Sequence, residues 1–235
     1  MFDYETASVG VIGGADGPTA MYLTESGIFG EVTWWMILLA VIIAYLIGNI
    51  SPSILIAKSK GLDIKKEGSG NAGTTNALRV MGKKAGAITL LVDILKGTCA
   101  VLLGHMIGGS LAAMLCVLAV FCGHVWPVFF GFKGGKGVAA AFGALLGLNP
   151  LLALATLAVV AIGVLISKRM SVGSLLGAIS FPFISYFIER DFVIFGAVMA
   201  VIIILKHRGN IVRLFKGEEP VMSIFEKKDR EKEEE

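Results

Sequence analysis

The chain has 235 residues, 55% of them hydrophobic and 17% charged, with a formal net charge of +3 and a mean hydropathy of +0.79. A soluble domain of this length would spread its charges along the sequence; here they are confined to a few short segments, so the chain belongs in a bilayer. The small net charge carries little meaning as a total, and no nucleic-acid partner is expected. The three cysteines, Cys99, Cys116 and Cys122, lie in apolar runs without metal-ligand or redox spacing and read as small buried hydrophobes. No cleavable signal peptide is expected, because the N-terminus is acidic and has no apolar core before residue 33.

Residues 1–32 form an acidic extension with Asp3, Glu5, Asp16, Glu25 and Glu31 and no lysine or arginine. Within it, Ser8-Val-Gly-Val-Ile-Gly-Gly-Ala-Asp-Gly-Pro-Thr19 is similar to a motif of sodium-pumping decarboxylase beta subunits. Nothing later in the chain continues that similarity. The polytopic domain is expected over 33–216. Its first span runs from Trp34 to about Ala57, with Trp34 and Trp35 as an interfacial anchor and a kink at Ser51-Pro52-Ser53. A polar loop follows, in which Lys58, Lys60, Lys65, Lys66, Arg79, Lys83 and Lys84 outweigh Asp63 and Glu67 and favour the cytoplasmic side.

Further apolar segments fall at about 86–104, 110–130, 137–148, 150–167, 172–188 and 191–206. Their short connections alternate between basic and non-basic. The expectation is an all-α integral membrane protein of about seven transmembrane helices, N-terminus outside and C-terminus cytoplasmic. The segment at 137–148 is short for a span, since twelve helical residues rise only about 18 Å. The tail, 217–235, is expected to be solvated and frayed.

Two glycine-rich stretches stand out. In Phe130-Gly-Phe-Lys-Gly-Gly-Lys-Gly-Val138, Gly134, Gly135 and Gly137 free the backbone to turn N–H groups toward one point, and Lys133 and Lys136 add positive charge there. The helix expected next would aim its N-terminus at the same anion. Val138 follows Gly137, so this is not the nucleotide-binding P-loop. An ordinary basic cytoplasmic turn would have the same composition. The other stretch, Glu67 to Arg79, offers Ser69, Thr75 and Asn76 as uncharged hydrogen-bonding groups and Arg79 as a planar fork for phosphate. It lies on the same expected side, so the two loops can converge.

Asp93 and Lys96 form an ionisable pair at i, i+3 inside an apolar segment, either bridging internally or reaching the site. Ser171 and Ser174 open a later span. His207 and Asn210 follow the last one, while His105 and His124 carry no signal of their own. No nucleophile elbow, no His-x-x-x-x-Asp and no zinc spacing occurs, so neither a covalent serine mechanism nor a metal is expected.

Together, Gly68-Ser-Gly-Asn-x-Gly-x-Thr-Asn-x-x-Arg79, Asp93-x-x-Lys-Gly97, the run ending Gly-Gly-Lys-Gly-Val138 and His207-Arg-x-Asn-Ile-x-Arg-Leu214 resemble, in order, the bacterial membrane acyltransferases that acylate glycerol 3-phosphate from acyl phosphate, the PlsY family. Departures are Thr74 for alanine, Ala140 for threonine and Gly209 for glutamate. The resemblance implies catalytic roles for His207, Asn210, Lys136 and Ser69, and substrate binding by Arg79, Ser174, Thr75, Asn76, Gly134, Gly135, Gly137 and Lys96. Ser171 is an alternative to Ser174, and either His207 or substrate phosphate is the base. It further implies a site on the cytoplasmic face of the bacterial cell membrane and no cofactor. The implied partners are membrane lipid, acyl phosphate, glycerol 3-phosphate and the soluble enzyme that makes acyl phosphate.

Overall fold

The computed structural model describes the backbone of residues 7–14 and 17–25 and, in full, residues 32–222 and 225. In the extension, β1 (Ala7–Gly14) and β2 (Gly17–Glu25) pair as an antiparallel hairpin, with an irregularity between Ile12 and Gly13. The all-α class therefore holds for the membrane domain but not for the extension, where Val9, Val11 and Ile12 give a strand-forming run. The resemblance of this segment to a sodium-pump motif falls partly on residues outside the described ones.

After residue 33 the described residues are helical or loop: α1 (Trp34–Gly48), α2 (Pro52–Ser59), α3 (Thr74–Met81), α4 (Lys83–Val125), α5 (Val138–Leu148), α6 (Pro150–Ser167), α7 (Met170–Ile188), α8 (Val193–Lys206) and α9 (Arg208–Phe215). The expected kink is the break between α1 and α2, where Pro52 starts the new helix at a position that needs no N–H donor. Trp34 and Trp35 are 77% and 64% exposed, as interfacial anchors would be.

α4 is a folded-back pair. Gly108 and Gly109 leave helical geometry, Gly109 with φ 65°. Lys96 Nζ and His124 Nδ1 are 28 positions apart in sequence yet 2.9 Å apart in space. A straight helix would separate them by about 42 Å. The halves, 83–107 and 110–125, therefore run antiparallel.

Among the described residues, Trp34–Ser59, Lys83–Phe130, Pro150–Ser167 and Met170–Ile188 are long and apolar enough to cross a membrane; Arg190–Lys206 with Arg208–Phe215, bent by 56°, brings the number to 5. The about seven separate spans expected from sequence do not stand out as such, because the two halves of α4 form one run and α5 has only 11 residues.

The helices meet through small residues. Ala40, Ala44, Ala100, Ala113, Ala144 and Ala153 are all fully buried, around Phe121 and Phe192. A Cβ on Gly123 would overlap the Tyr45 carbonyl, and one on Gly48 would overlap that of Val120, so α1 and the second half of α4 are in backbone contact. The cysteines divide: Cys116 is buried and Cys122 half-buried, but Cys99 is exposed, contrary to expectation. In a bilayer the outer face of a helix is as apolar as its core face, so hydropathy does not distinguish the two.

Gly123→Val forces a side chain into the α1 contact and is expected to cost about 1–3 kcal/mol. Thermal unfolding in detergent measures it, and an unchanged melting temperature would contradict so close an approach.

Candidate active site

Both glycine-rich loops are built by local hydrogen bonds. In the first, Asn76 is almost fully buried at the start of α3. Its Nδ2 donates to Glu67 O at 3.0 Å and Ile64 O at 3.3 Å, and its Oδ1 accepts from Ser69 N–H at 2.9 Å. Gly68 has φ 58°, and a Cβ there would overlap Asn76 Oδ1. Asn76 thus shapes the loop, with both ends of its amide engaged by loop backbone. Ser69 and Arg79 are exposed, and Thr75 is half-buried in the first turn of α3.

The second loop caps the end of α4. Gly134 N–H donates to Val125 O at 3.2 Å and Gly135 N–H to His124 O at 3.1 Å. These two amides satisfy helix carbonyls that would otherwise lack partners, and so are not turned toward an anion. Gly137, with φ 86°, is the N-cap of α5 and packs against the Phe121 ring, where a Cβ would not fit. The N–H groups without an intrahelical partner here are those of the first turn of α5, one step later than the pair the sequence suggests.

The loops do converge. Lys65 Nζ donates to Phe130 O at 2.8 Å, Lys58 lies 5.4 Å above the Phe130 ring, and the position of a Gly135 Cβ is 2.7 Å from Ala72 O.

Lys136 is the centre of the site. Its Nζ donates to Asn210 Oδ1. Burial, opposed by Glu219 and reinforced by Arg213, Arg79 and Lys206, lowers its pKa to about 8. Asn210 Nδ2 in turn donates to Glu219 Oε1 at 2.6 Å, and Arg213 Nε donates to Glu219 Oε2 at 2.8 Å. The Glu219 backbone carbonyl accepts from Arg169 Nε at 2.9 Å. Despite the cost of burial, hydrogen bonds from Asn210 and its neighbours and the charge of Arg213 hold the Glu219 carboxyl below its ordinary pKa.

Glu219 is the residue that sequence reasoning missed, having been placed in the frayed tail. It is 7% exposed, and Met222 N–H bonds Lys168 O at 2.9 Å just beyond it. The tail at 217–222 is therefore tied to the start of α7. The missed signal was a carboxylate six residues after Arg213, in a segment otherwise rich in cations.

His207 is 3% exposed at the break between α8 and α9, with Nδ1 2.8 Å from Ile203 O. A carbonyl only accepts, so Nδ1 carries the proton and Nε2 keeps its lone pair. The charge of Lys136 acts on the ring. Ser174 is buried, its hydroxyl donating to Met170 O at 2.9 Å. Ser171 lies beside the Glu219 carboxylate without a hydrogen bond of good geometry. Lys96 is 5% exposed and ion-paired with Asp93 at 2.7 Å.

Beside this cluster, Val138, Phe142, Val160, Phe181 and Met199 line an apolar cavity between α5, α6, α7 and α8, with Ser174 and Ile203 on its wall. A cationic, hydrogen-bonding head thus adjoins an apolar slot inside a membrane domain, an arrangement suited to an integral membrane protein that handles an anionic molecule with an apolar chain.

Comparison with known proteins agrees. The profile of the family described as Glycerol-3-phosphate acyltransferase matches residues 38–217. The chain is 42% identical over 184 residues to a glycerol-3-phosphate acyltransferase of Thermoanaerobacter sp. (strain X514), covering 77% of this chain and 93% of that protein. It is 44% identical over 186 residues to one of Clostridioides difficile (strain 630), covering 76% and 91%. The crystal structure of PlsY (YgiH), an integral membrane glycerol 3-phosphate acyltransferase, in its glycerol 3-phosphate form has a TM-score of 0.76 and 37% identity, over 81% of this chain and 97% of that one. Its lysophosphatidic acid form has a TM-score of 0.72 and 38% identity, over 79% and 94%. The chain belongs to the glycerol-3-phosphate acyltransferase family.

Because Lys136 must be protonated to hold an anion, kcat/KM is expected to fall as pH rises through about 8. Lys136→Arg moves that fall to higher pH. Glu219 raises the pKa of Lys136, so Glu219→Gln moves the fall to lower pH. Rate profiles of the three proteins between neutrality and the alkaline range check both signs.

Proposed function

We propose that the chain transfers a fatty acyl group from acyl phosphate to the 1-hydroxyl of glycerol 3-phosphate, giving lysophosphatidic acid and inorganic phosphate at the cytoplasmic face of the bacterial cell membrane. The observation that carries this is the adjacency of the Lys136–Asn210–Glu219 cluster to the apolar cavity between α5 and α8. One part suits phosphate and the other an acyl chain.

An acyl phosphate is a mixed anhydride, so its carbonyl needs no further activation. The work left to the protein is to align two anionic substrates and offset charge on the departing phosphate. Lys136 and the N-terminus of α5 hold one phosphate; Arg79 and Ser69 hold the other. His207 Nε2 and Asn210 orient glycerol 3-phosphate, and substrate phosphate takes the hydroxyl proton as the C–O bond forms. Seven passes, with the halves of α4 and the short α5 each counted as one, put both glycine-rich loops and the C-terminus on the cytoplasmic side. The acyl phosphate then comes from the soluble enzyme that makes it.

Membrane vesicles supplied with acyl phosphate and labelled glycerol 3-phosphate are expected to form extractable labelled lipid and release phosphate. Label recovered only as unchanged solute would mark a carrier instead. His207→Gln is expected to lower kcat/KM at least about tenfold with its pH dependence retained; burial and the charge of Lys136 lower the His207 pKa to about 4, so loss of an ionisation there would identify His207 as the base. Cysteines placed at Arg79 and Lys136 should react with an impermeant reagent from one and the same side.

A further inference from the structure

Asp93, Lys96 and His124 form a polar cluster within the α4 pair, and the transfer described above uses none of them directly. Their side chains are nearly inaccessible, and ionisable groups at such depth are retained for a reason. Lys96 Nζ meets Asp93 Oδ1 at 2.7 Å, the Ile50 carbonyl at 2.6 Å and His124 Nδ1 at 2.9 Å. Nδ1 also lies 3.3 Å from Asp93 Oδ1, so this edge of the ring is held in one orientation by the helix half opposite.

The other edge of the ring faces the glycine loop. A Cβ on Gly135 would overlap Nε2, and its position is also 2.7 Å from the Ala72 carbonyl of the first loop. The carbonyls of His124 and Val125 hold Gly135 N–H and Gly134 N–H. One residue thus grips the second loop by backbone and side chain at the spot where the first loop touches it. Lys136 is the next residue along.

We propose that His124 is a positioning residue for the transfer reaction: clamped by Lys96 and Asp93, its Nε2 edge sets where the Gly134–Gly135 turn stands against Ala72, and so where Lys136 presents its ammonium to a substrate phosphate. This rests on the function proposed above. A purely structural histidine would leave substrate affinity alone in whatever fraction of the protein folds. A positioning histidine changes affinity for the phosphate that Lys136 holds.

Two substitutions separate the edges of the ring. His124→Asn places an amide oxygen near Nδ1, keeping an acceptor for Lys96 while removing the Nε2 edge. His124→Gln reaches toward Nε2 and gives up the Nδ1 acceptor. In purified protein, Lys136→Gln first shows which substrate's KM depends on the lysine. His124→Asn is then expected to raise the KM of that same substrate about tenfold, with kcat changed less than about threefold, since a small misplacement of a positioning group has effects of this size. His124→Gln is expected to raise it less. As a second readout without turnover, the inorganic phosphate concentration needed to raise the melting temperature should shift upward in His124→Asn.

Wild-type KM values with wild-type phosphate protection, or equal changes for both substrates, would overturn the proposal. If the His124 variants do not fold, Gly135→Ala, which presses a methyl group onto the Nε2 edge, carries the same expectation for the same substrate. Failure of the wild type to use acyl phosphate would refute the donor named above, whereas weakened phosphate protection in His124→Asn would still support the positioning role.

Discussion

Lys136, Arg79, Arg213 and Lys206 bring like charges close enough to act on one another in a partly buried space. Their mutual repulsion opposes the convergence of the two loops, and it is strongest where water is excluded. Glu219 supplies the counter-charge. Its carboxylate takes hydrogen bonds from Asn210 and Arg213, and Asn210 passes the connection on to Lys136. One buried carboxylate therefore offsets part of the cationic charge and leaves the pocket net positive, and the convergence of the two loops depends on it.

Around that centre, support and chemistry fall to different residues. Asn76 shapes one loop, the end of α4 shapes the other, and Lys65 ties the second to the first. These contacts use up the groups that make them. Ser69 and Arg79 stay exposed, half-buried Lys136 keeps donors beyond its bond to Asn210, and His207 Nε2 keeps an open lone pair. The apolar cavity beside them is bounded by α5 to α8. The shortness of α5 matters here, because a helix starting at Gly137 places its N-terminus at the site and not beyond it.

The membrane domain was largely legible in the residues. Runs such as Pro150–Ser167 are unmistakable by hydropathy, and the fold-back at Gly108-Gly109 coincides with the gap expected between two segments. The convergence of the two glycine-rich loops was also readable, since both are basic and fall on one side of the charge pattern. Less legible was what each residue in those loops does. Gly134 and Gly135 suggest anion-binding amides by composition, yet their N–H groups are committed to α4 carbonyls. Lys96 suggests a substrate contact by motif, yet it closes a buried ion pair.

The order of residues by itself determined the solvent, the segments that enter it, the two phosphate-suited loops and the family they match, because each follows from local composition and spacing. Only the tertiary structure decided that Glu219 returns to the site, that His124 bridges an ion pair to a glycine turn, and that Cys99 faces outward. These depend on which groups become neighbours across long stretches of chain. In a bilayer the lipid side and the packed side of a helix are equally apolar, so no periodicity in the sequence distinguishes a partner from a solvent.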